Sequence, residues 1–224
     1  MQLLPTFFHR VIAFVWIDGL ERYLHIWENL AQIADVRQKG KTCNMETHDI
    51  DIYLQALSDE LARRGLHVQM MLVGGAYMLL TLGNRSYTED IDVMLLNMPD
   101  TTHKTPETKA FMAAVKVVAK NFRMKQKWMN DVVADFIRDM APNPPLSLWK
   151  QYSNIDVYMP TPEYILVLKL MTFRKKDMDD IDALLHTLGI TTREQAFALV
   201  DSFVVDKGYY GVYDLEDNLD NLFE

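Results

Sequence analysis

Cysteine is almost missing from this chain of 224 residues, since Cys43 is the only one. One thiol forms no internal disulfide, which excludes a disulfide-stapled fold and favours a reducing compartment. Long apolar runs are missing too, and none reaches the roughly 18 residues of a membrane-spanning helix. The N-terminal stretch VIAFVWI is short and meets Asp18 without a small-residue cleavage site, so no secretory signal is expected. These absences predict a cytoplasmic protein without a membrane partner.

Basic residues are in deficit, because 23 Lys and Arg face 31 Asp and Glu for a formal net charge of −8. This balance argues against broad nucleic-acid binding, since phosphate backbones favour clustered cations. Many of the cations fall in two segments: Lys116, Lys120, Arg123, Lys125 and Lys127 in the first, and Lys169, Arg174, Lys175 and Lys176 in the second. Such segments are usually solvated helix faces, but either could form a local phosphate-binding patch.

The hydrophobic pattern predicts short strands with interspersed helices, followed by a helical C-terminal third. Three apolar runs are predicted as strands, namely HVQMMLV (67–73), TEDIDVMLL (88–96) and SNIDVYMP (153–160). Helical spacing predicts helices around them, including one over Trp128–Met140. We therefore expect an α/β or α+β core at residues 45–160 and a helical region at 161–224. Residues 1–44 are aromatic-rich and are predicted to be an accessory helical extension.

Gly74 and Gly75 stand where the first predicted strand gives way to a helix. Glycine allows a sharp turn and lets a ligand come close to the main chain. The helix that follows directs free N–H groups and a partial positive charge at this point, which suits a phosphate. A tight structural turn would explain the same pair of glycines, so the pair by itself is a weak signal.

Asp90 and Asp92 lie two residues apart in the second predicted strand, so their side chains share one face. Two carboxylates this close repel each other and raise each other's pKa. Mg²⁺ would remove that conflict, because it takes oxygen ligands and is often completed by substrate phosphates. The alternative is the solvated outer face of an edge strand.

Asp156 stands in NIDVYM, which repeats the surroundings of Asp92 in DIDVML. If the two strands are neighbours, Asp156 can join Asp90 and Asp92 on the same side. Three carboxylates can hold two Mg²⁺ ions, the arrangement that promotes in-line displacement at phosphorus. Asp156 would then take the proton of the attacking hydroxyl group. One more aspartate at the end of a strand is the simpler interpretation.

Three further residues are candidates for phosphate contact. Arg85 and Thr88 lie just before the second predicted strand, although Arg85 could equally pair with Glu89 or a helix carboxylate. Lys169 lies in the apolar stretch ILVLKLM, where a buried ammonium group needs a partner. A triphosphate or the aspartate cluster would serve, and a lysine that reaches solvent from a helix edge is the alternative. Residues 175–180 indicate a helix–helix junction held by ion pairs.

The combination of VGG (73–75), R-x-x-T (85–88) and EDIDV (89–93) resembles the nucleotidyltransferase superfamily that includes DNA polymerase β. Closer still, it resembles the bacterial minimal nucleotidyltransferases related to AbiEii-type toxins, in which a later helix carries Lys and R-x-x-D. The resemblance covers about residues 68–189. It implies a nucleotidyltransferase-like α+β fold with a mixed β-sheet flanked by helices, and metal ligands at Asp90, Asp92 and Asp156.

Residues and resemblance together predict a Mg²⁺-dependent nucleotidyltransferase that moves an NMP from an NTP to a hydroxyl group. The acceptor could be a protein, a tRNA or a small molecule, and resemblance alone implies a toxin–antitoxin role with an antitoxin partner. The expected nucleotide-binding residues are Gly74, Gly75, Arg85, Thr88 and Lys169. A noncatalytic nucleotide- or partner-binding protein that keeps the fold is the alternative from another class, and a metal-dependent phosphohydrolase is a third.

Overall fold

The structure is a computed structural model that describes residues 44–134 and 144–224. The predicted N-terminal helical extension lies outside these residues, as does the end of the helix predicted over Trp128–Met140. The chain from Cys43 to Glu224 forms one compact unit. The predicted core and the predicted helical C-terminal region therefore pack together, and their exact limits stay predictions.

A five-stranded mixed sheet lies at the centre of the described residues. In chain order its strands are β1 (Val68–Val73), β2 (Ile91–Leu95), β3 (Met129–Asn130), β4 (Leu146–Gln151) and β5 (Ile155–Pro160). Their spatial order is β3-β2-β1-β5-β4. β1 pairs antiparallel with β2 and parallel with β5, β2 pairs parallel with β3, and β4 pairs antiparallel with β5. The mixed sheet implied by the resemblance is confirmed.

The sequence pattern does not predict two of the strands, β3 and β4. Met129 and Asn130 form β3 where a helix is predicted, because β2 supplies a parallel partner and Ile91 N–H donates to the Trp128 carbonyl at 2.7 Å. This tertiary pairing outweighs the local helical spacing. β4 is an edge strand, and none of its residues is fully buried. An edge strand of this kind has no alternation of buried and exposed side chains that would predict it.

Helices cover the sheet and make up the C-terminal third. They are α1 (Thr47–Ala62), α2 (Gly74–Thr81), α3 (Pro106–Phe122), α4 (Pro162–Thr172), α5 (Met178–Leu188), α6 (Arg193–Phe203), α7 (Gly208–Val212) and α8 (Leu215–Phe223), with a 3₁₀ turn at Lys175–Asp177. Local signals set several ends: the Thr105 hydroxyl caps α3 by accepting from Thr108 N–H at 3.2 Å. The expected α+β fold with a helical C-terminal region is confirmed.

The core lies against β1, the central strand. Met70, Met71 and Leu72 are fully buried there, and apolar residues of α2 and α4 add to the same core. None of the helices in the described ranges combines the length and the apolar composition that a membrane span requires. In the β1–β2 register Val73 lies opposite Asp92. The end of β1, where α2 begins, is therefore held beside the carboxylate pair.

Candidate active site

The diglycine turn lies directly against Asp92 and Thr88. Gly74 has φ +66°, and a Cβ atom there would lie 2.4 Å from Oδ2 of Asp92. A Cβ atom on Gly75 would lie 2.7 Å from Oγ1 of Thr88. No side chain caps the first residues of α2, so their N–H groups stay available at this point. Glycine is thus required at 74 by both the backbone angle and the neighbouring carboxylate.

Asp90 and Asp92 are half-buried and line one cavity. Burial raises the pKa of Asp92, and the charge of Asp90 raises it further. A hydrogen bond from Asn130 and the charges of Arg174 and Lys176 offset part of this increase. Within the described ranges, no Lys, Arg or His forms a salt bridge with either carboxylate. Among the described residues, the pair thus lacks a directly bonded counterion.

The cavity has a volume of about 660 Å³, within the usual range of small-ligand pockets. Its walls divide by chemistry into a carboxylate part, a cationic part and an apolar part. The carboxylates are Asp90, Asp92 and Asp131, the cations are Lys127, Lys169, Arg174 and Lys176, and the apolar residues include Met112, Met129, Ile165 and Leu168. The three parts match a divalent cation, a phosphate chain and the flat face of a base.

One residue of the first basic segment and three residues of the second line this cavity. Lys127 comes from the turn before β3, while Lys169, Arg174 and Lys176 come from α4 and the 3₁₀ turn after it. Because these residues are more than 40 positions apart, only the fold brings their charges together. The sequence therefore showed each segment but not their common location.

Asp156 does not join the pair, and the expected convergence of three carboxylates is wrong. Asp156 on β5 lies opposite Gln69 of β1, whereas Asp92 on β2 lies opposite Val73 of β1. Four residues of strand separate these positions, which is about 13 Å. β2 runs antiparallel to β1 and β5 runs parallel to it, so residues near the starts of β2 and β5 lie at opposite ends of β1.

The surroundings of Asp156 are those of a structural carboxylate. It is buried and accepts hydrogen bonds from three side chains: His67 (2.9 Å), Gln151 (2.8 Å) and Gln69 (3.2 Å). The hydrogen bond from His67 is the main cause of its lowered pKa. Over residues 44–134 and 144–224, no group of three or more His, Cys, Asp or Glu side chains is arranged to hold a metal ion.

Two cavity residues next to the pair were missed from the sequence. Asn130 lies opposite Asp92 in the β2–β3 pairing. Asp131 follows it, is buried, and accepts hydrogen bonds from Thr101 N–H at 2.6 Å and from the Thr101 hydroxyl. The sequence signal for these two residues was W-M-N-D (128–131), in which an apolar pair is followed by a polar pair. This order is typical of the end of a strand. The helical spacing of the following residues concealed it.

Lys169, Arg85 and Arg174 are held by two buried aspartates. Nζ of Lys169 lies 3.0 Å from Asp177 Oδ1 and 2.6 Å from Asp180 Oδ2. Arg85 Nε donates to Asp180 at 2.7 Å, and Arg174 Nε donates to Asp177 at 2.6 Å. Burial alone would raise the pKa of both aspartates, but these cations outweigh it and the pKa values are lowered. The expected helix–helix junction is held by ion pairs.

This network decides between the interpretations of Arg85 and Lys169. Arg85 pairs with helix carboxylates, while Glu89 pairs with Lys125 at 3.0 Å. Lys169 finds its partners in Asp177 and Asp180, although it also lines the cavity. The Thr88 hydroxyl donates to the Asp90 carbonyl at 2.9 Å. Arg85, Thr88 and Gly75 lie outside the cavity lining and support its walls.

A protein-family model described as a nucleotidyltransferase of unknown function (DUF6036) matches residues 54–191. The chain belongs to this family of nucleotidyltransferases. The matched range includes the diglycine turn, the carboxylate pair and the whole ion-pair network. No curated protein and no solved structure matches the chain. The family description names neither a nucleotide, an acceptor nor a metal.

Proposed function

We propose that the chain is a Mg²⁺-dependent nucleotidyltransferase that binds an NTP in this cavity and transfers its NMP to a hydroxyl group. One observation carries the proposal: Asp90 and Asp92, which form no salt bridge with another described residue, line a cavity that also holds four cationic side chains, and Asp92 lies against Gly74. Carboxylates for a metal and donors for phosphates are the two requirements of nucleotide transfer.

The donor phosphates bind at the start of α2 and at the cations opposite. The main chain at Gly74 accepts a close ligand, and the free N–H groups of the first turn favour negative charge. Arg174 and Lys176 are near enough to Asp92 to influence its ionisation. A triphosphate placed between them and Gly74 therefore also reaches the carboxylate pair.

The residues present fit one Mg²⁺ ion. Mg²⁺ is usually held by one or two carboxylates together with substrate phosphates, and Asp90 and Asp92 provide such a pair. The raised pKa of Asp92 is the property of a carboxylate that ionises more easily once a cation is near. When bound, the ion neutralises phosphate charge and polarises the α-phosphate. The sequence predicted a second ion, which Asp156 would have helped to hold. Because Asp156 lies near the other end of β1, the proposal includes only one ion.

The reaction forms a bond between the acceptor oxygen and the α-phosphorus. The bond from the α-phosphorus to the bridging oxygen of the β-phosphate breaks, and pyrophosphate leaves. The hydroxyl proton passes to a carboxylate, for which Asp131 replaces Asp156 in the proposal because it lines the cavity. Both oxygens of Asp131 accept from Thr101, but each keeps a lone pair for a further hydrogen bond.

The proposal is tested with each α-³²P-labelled NTP, Mg²⁺, a cell extract and the purified chain. Asp90→Asn/Asp92→Asn should reduce labelling by at least about a hundredfold, since both metal ligands are lost. Its melting temperature should not fall, because the change removes the repulsion between two half-buried charges.

Asp182→Asn/Asp217→Asn is the matched control, because both aspartates are exposed and the net charge changes equally. This control should label like the wild type. Equal labelling by the wild type and the Asp90/Asp92 variant would refute the proposal. Nucleotide binding without any transfer would favour the noncatalytic alternative.

A further inference from the structure

Helix α3 carries a row of exposed cations on one face. Lys109, Lys116 and Lys120 lie on the helix, and Arg123 follows at its C-terminal cap. Their spacings of seven, four and three residues place them on the same side of the helix. The row is about 21 Å long at the rise of an α-helix. None of the four forms an ion pair with another described residue.

The α3 basic row borders the cavity near Met112. Met112 lines the cavity, and it lies three residues after Lys109 and four before Lys116, so it neighbours both on the helix surface. Lys127 also lines the cavity. The chain turns back after the left-handed cap at Arg123, and Trp128 Nε1–H donates to the Val115 carbonyl at 3.0 Å, so this stretch lies beside the middle of α3. The row therefore adjoins the cavity near Met112, and Lys127 adds a further cation inside the cavity.

The order of the strands separates a donor side from an acceptor side. Gly74 follows β1, Asp90 and Asp92 belong to the segment that forms β2, and Lys127 precedes β3 at the sheet edge. A triphosphate bound at Gly74 occupies the β1 side of the carboxylate pair. The β3 side, where Lys127 lies, is left for the acceptor.

The row is strongly basic, although the chain as a whole is acidic. The chain has a net charge of −8, yet the only acid on α3 is Glu107 in its first turn. Cations that pair with no other described residue, in an acidic protein, favour a ligand with several regularly spaced negative charges. A small neutral acceptor would not contact a row of this length.

We propose that the acceptor is the end of a single-stranded RNA, whose phosphates lie along the α3 basic row. This inference rests on the proposed function. The terminal ribose presents two adjacent hydroxyls to the cavity, whereas a DNA end presents one. One ribose oxygen bonds to the α-phosphorus of the NTP, pyrophosphate leaves, and Asp131 takes the hydroxyl proton and releases it to water.

Binding is measured with the full chain and a short fluorescent single-stranded RNA of mixed sequence, over a range of salt concentrations. Lys116→Gln/Lys120→Gln should weaken binding roughly 20-fold at about 0.1 M salt and reduce the slope of log K against log salt by about 1.4. Lys150→Gln/Lys207→Gln is the matched control. Lys207 and its partner Asp201 are exposed, Lys150 and its partner Asp51 are partly exposed, and the net charge changes equally.

Absence of RNA binding by the wild type, or equal losses in the two double variants, would overturn the inference. Mg²⁺–NTP binding is measured separately by calorimetry and should be the same in wild type and Lys116→Gln/Lys120→Gln. NTP binding without RNA binding refutes the RNA acceptor alone, and RNA binding without NTP binding refutes the proposed function.

Transfer is then compared on three strands: the RNA, the same RNA with its terminal ribose oxidised to a dialdehyde, and DNA of the same sequence. Only the intact RNA should gain label from an α-³²P-labelled NTP, and Lys116→Gln/Lys120→Gln should label it several-fold less. Labelling of the DNA as efficiently as the RNA would overturn the assignment of RNA.

Discussion

At Gly74 the main chain and the Asp92 carboxylate come so close that one added methyl group has no room. The contact brings the diglycine turn against the proposed metal ligand. Gly65 has nearly the same backbone angle, φ +63° against +66°, but open space around it. A comparison of the same substitution at Gly74 and at Gly65 therefore separates the effect of backbone strain from the effect of the contact with Asp92.

Gly74→Ala and Gly65→Ala should each lower the free energy of unfolding by about 1–2 kcal/mol, because alanine is strained at these angles. Only Gly74→Ala should abolish Mg²⁺–NTP binding, since its methyl group displaces the Asp92 carboxylate. For both variants, Mg²⁺–NTP binding is measured by calorimetry and stability is measured by thermal denaturation. Wild-type nucleotide affinity in Gly74→Ala would show that the contact is unimportant for the site.

At the scale of elements, one ion-pair network joins α4, the 3₁₀ turn, α5 and the loop before β2. Lys169, Asp177 and Asp180 are all buried, and Arg85 reaches them from the loop. Arg85 also lies against the diglycine turn, with Nη1 3.5 Å from the position of a Cβ atom on Gly75. The network thus holds the α4–α5 corner and the start of α2 in one arrangement.

Lys169→Ala should lower the free energy of unfolding by about 3–5 kcal/mol, because it leaves two aspartates buried with fewer cations. Lys207→Ala breaks an exposed pair with Asp201 and should leave the urea midpoint nearly unchanged. Urea denaturation of both variants compares the two cases. Equal shifts would mean that the buried network contributes no more than a surface pair.

For the whole molecule, the shifted carboxylates predict a loss of stability in acid. Five carboxylates that are wholly or partly buried have lowered pKa values: Asp51, Glu60, Asp156, Asp177 and Asp180. Their stabilisation is complete above their ordinary values of 3.8 and 4.5 and declines as the pH falls through the lowered ones. Asp92 opposes them, because its raised pKa makes its ionised form costly and acid relieves that cost.

The free energy of unfolding should therefore fall progressively as the pH is lowered from about 5 to about 2, as measured by urea denaturation without Mg²⁺. Asp177→Asn/Asp180→Asn should be less stable than the wild type at neutral pH. Its free energy of unfolding should also depend less steeply on pH, because fewer protons are taken up on unfolding. A stability that rises with acid would mean that Asp92 and other destabilising charges dominate.

Several features could be predicted from the sequence because they depend on near neighbours. The strand–glycine–helix turn at Gly74 and the shared face of Asp90 and Asp92 follow from backbone preferences and from the two-residue period of a strand. Apolar runs predicted β1, β2 and β5. They did not predict β3 or β4, since neither carries a complete buried face that a pattern could reveal.

The tertiary structure alone decided which distant residues share the site. Asp156 and Asp92 have similar local sequences, yet opposite strand directions place them at different ends of β1. The same packing brings Lys127 and Lys176 to one cavity and puts Asp131 beside the pair. Local spacing determines which side chains share a face. The direction and register of strands distant in sequence depend on packing of the whole core, which no short stretch encodes.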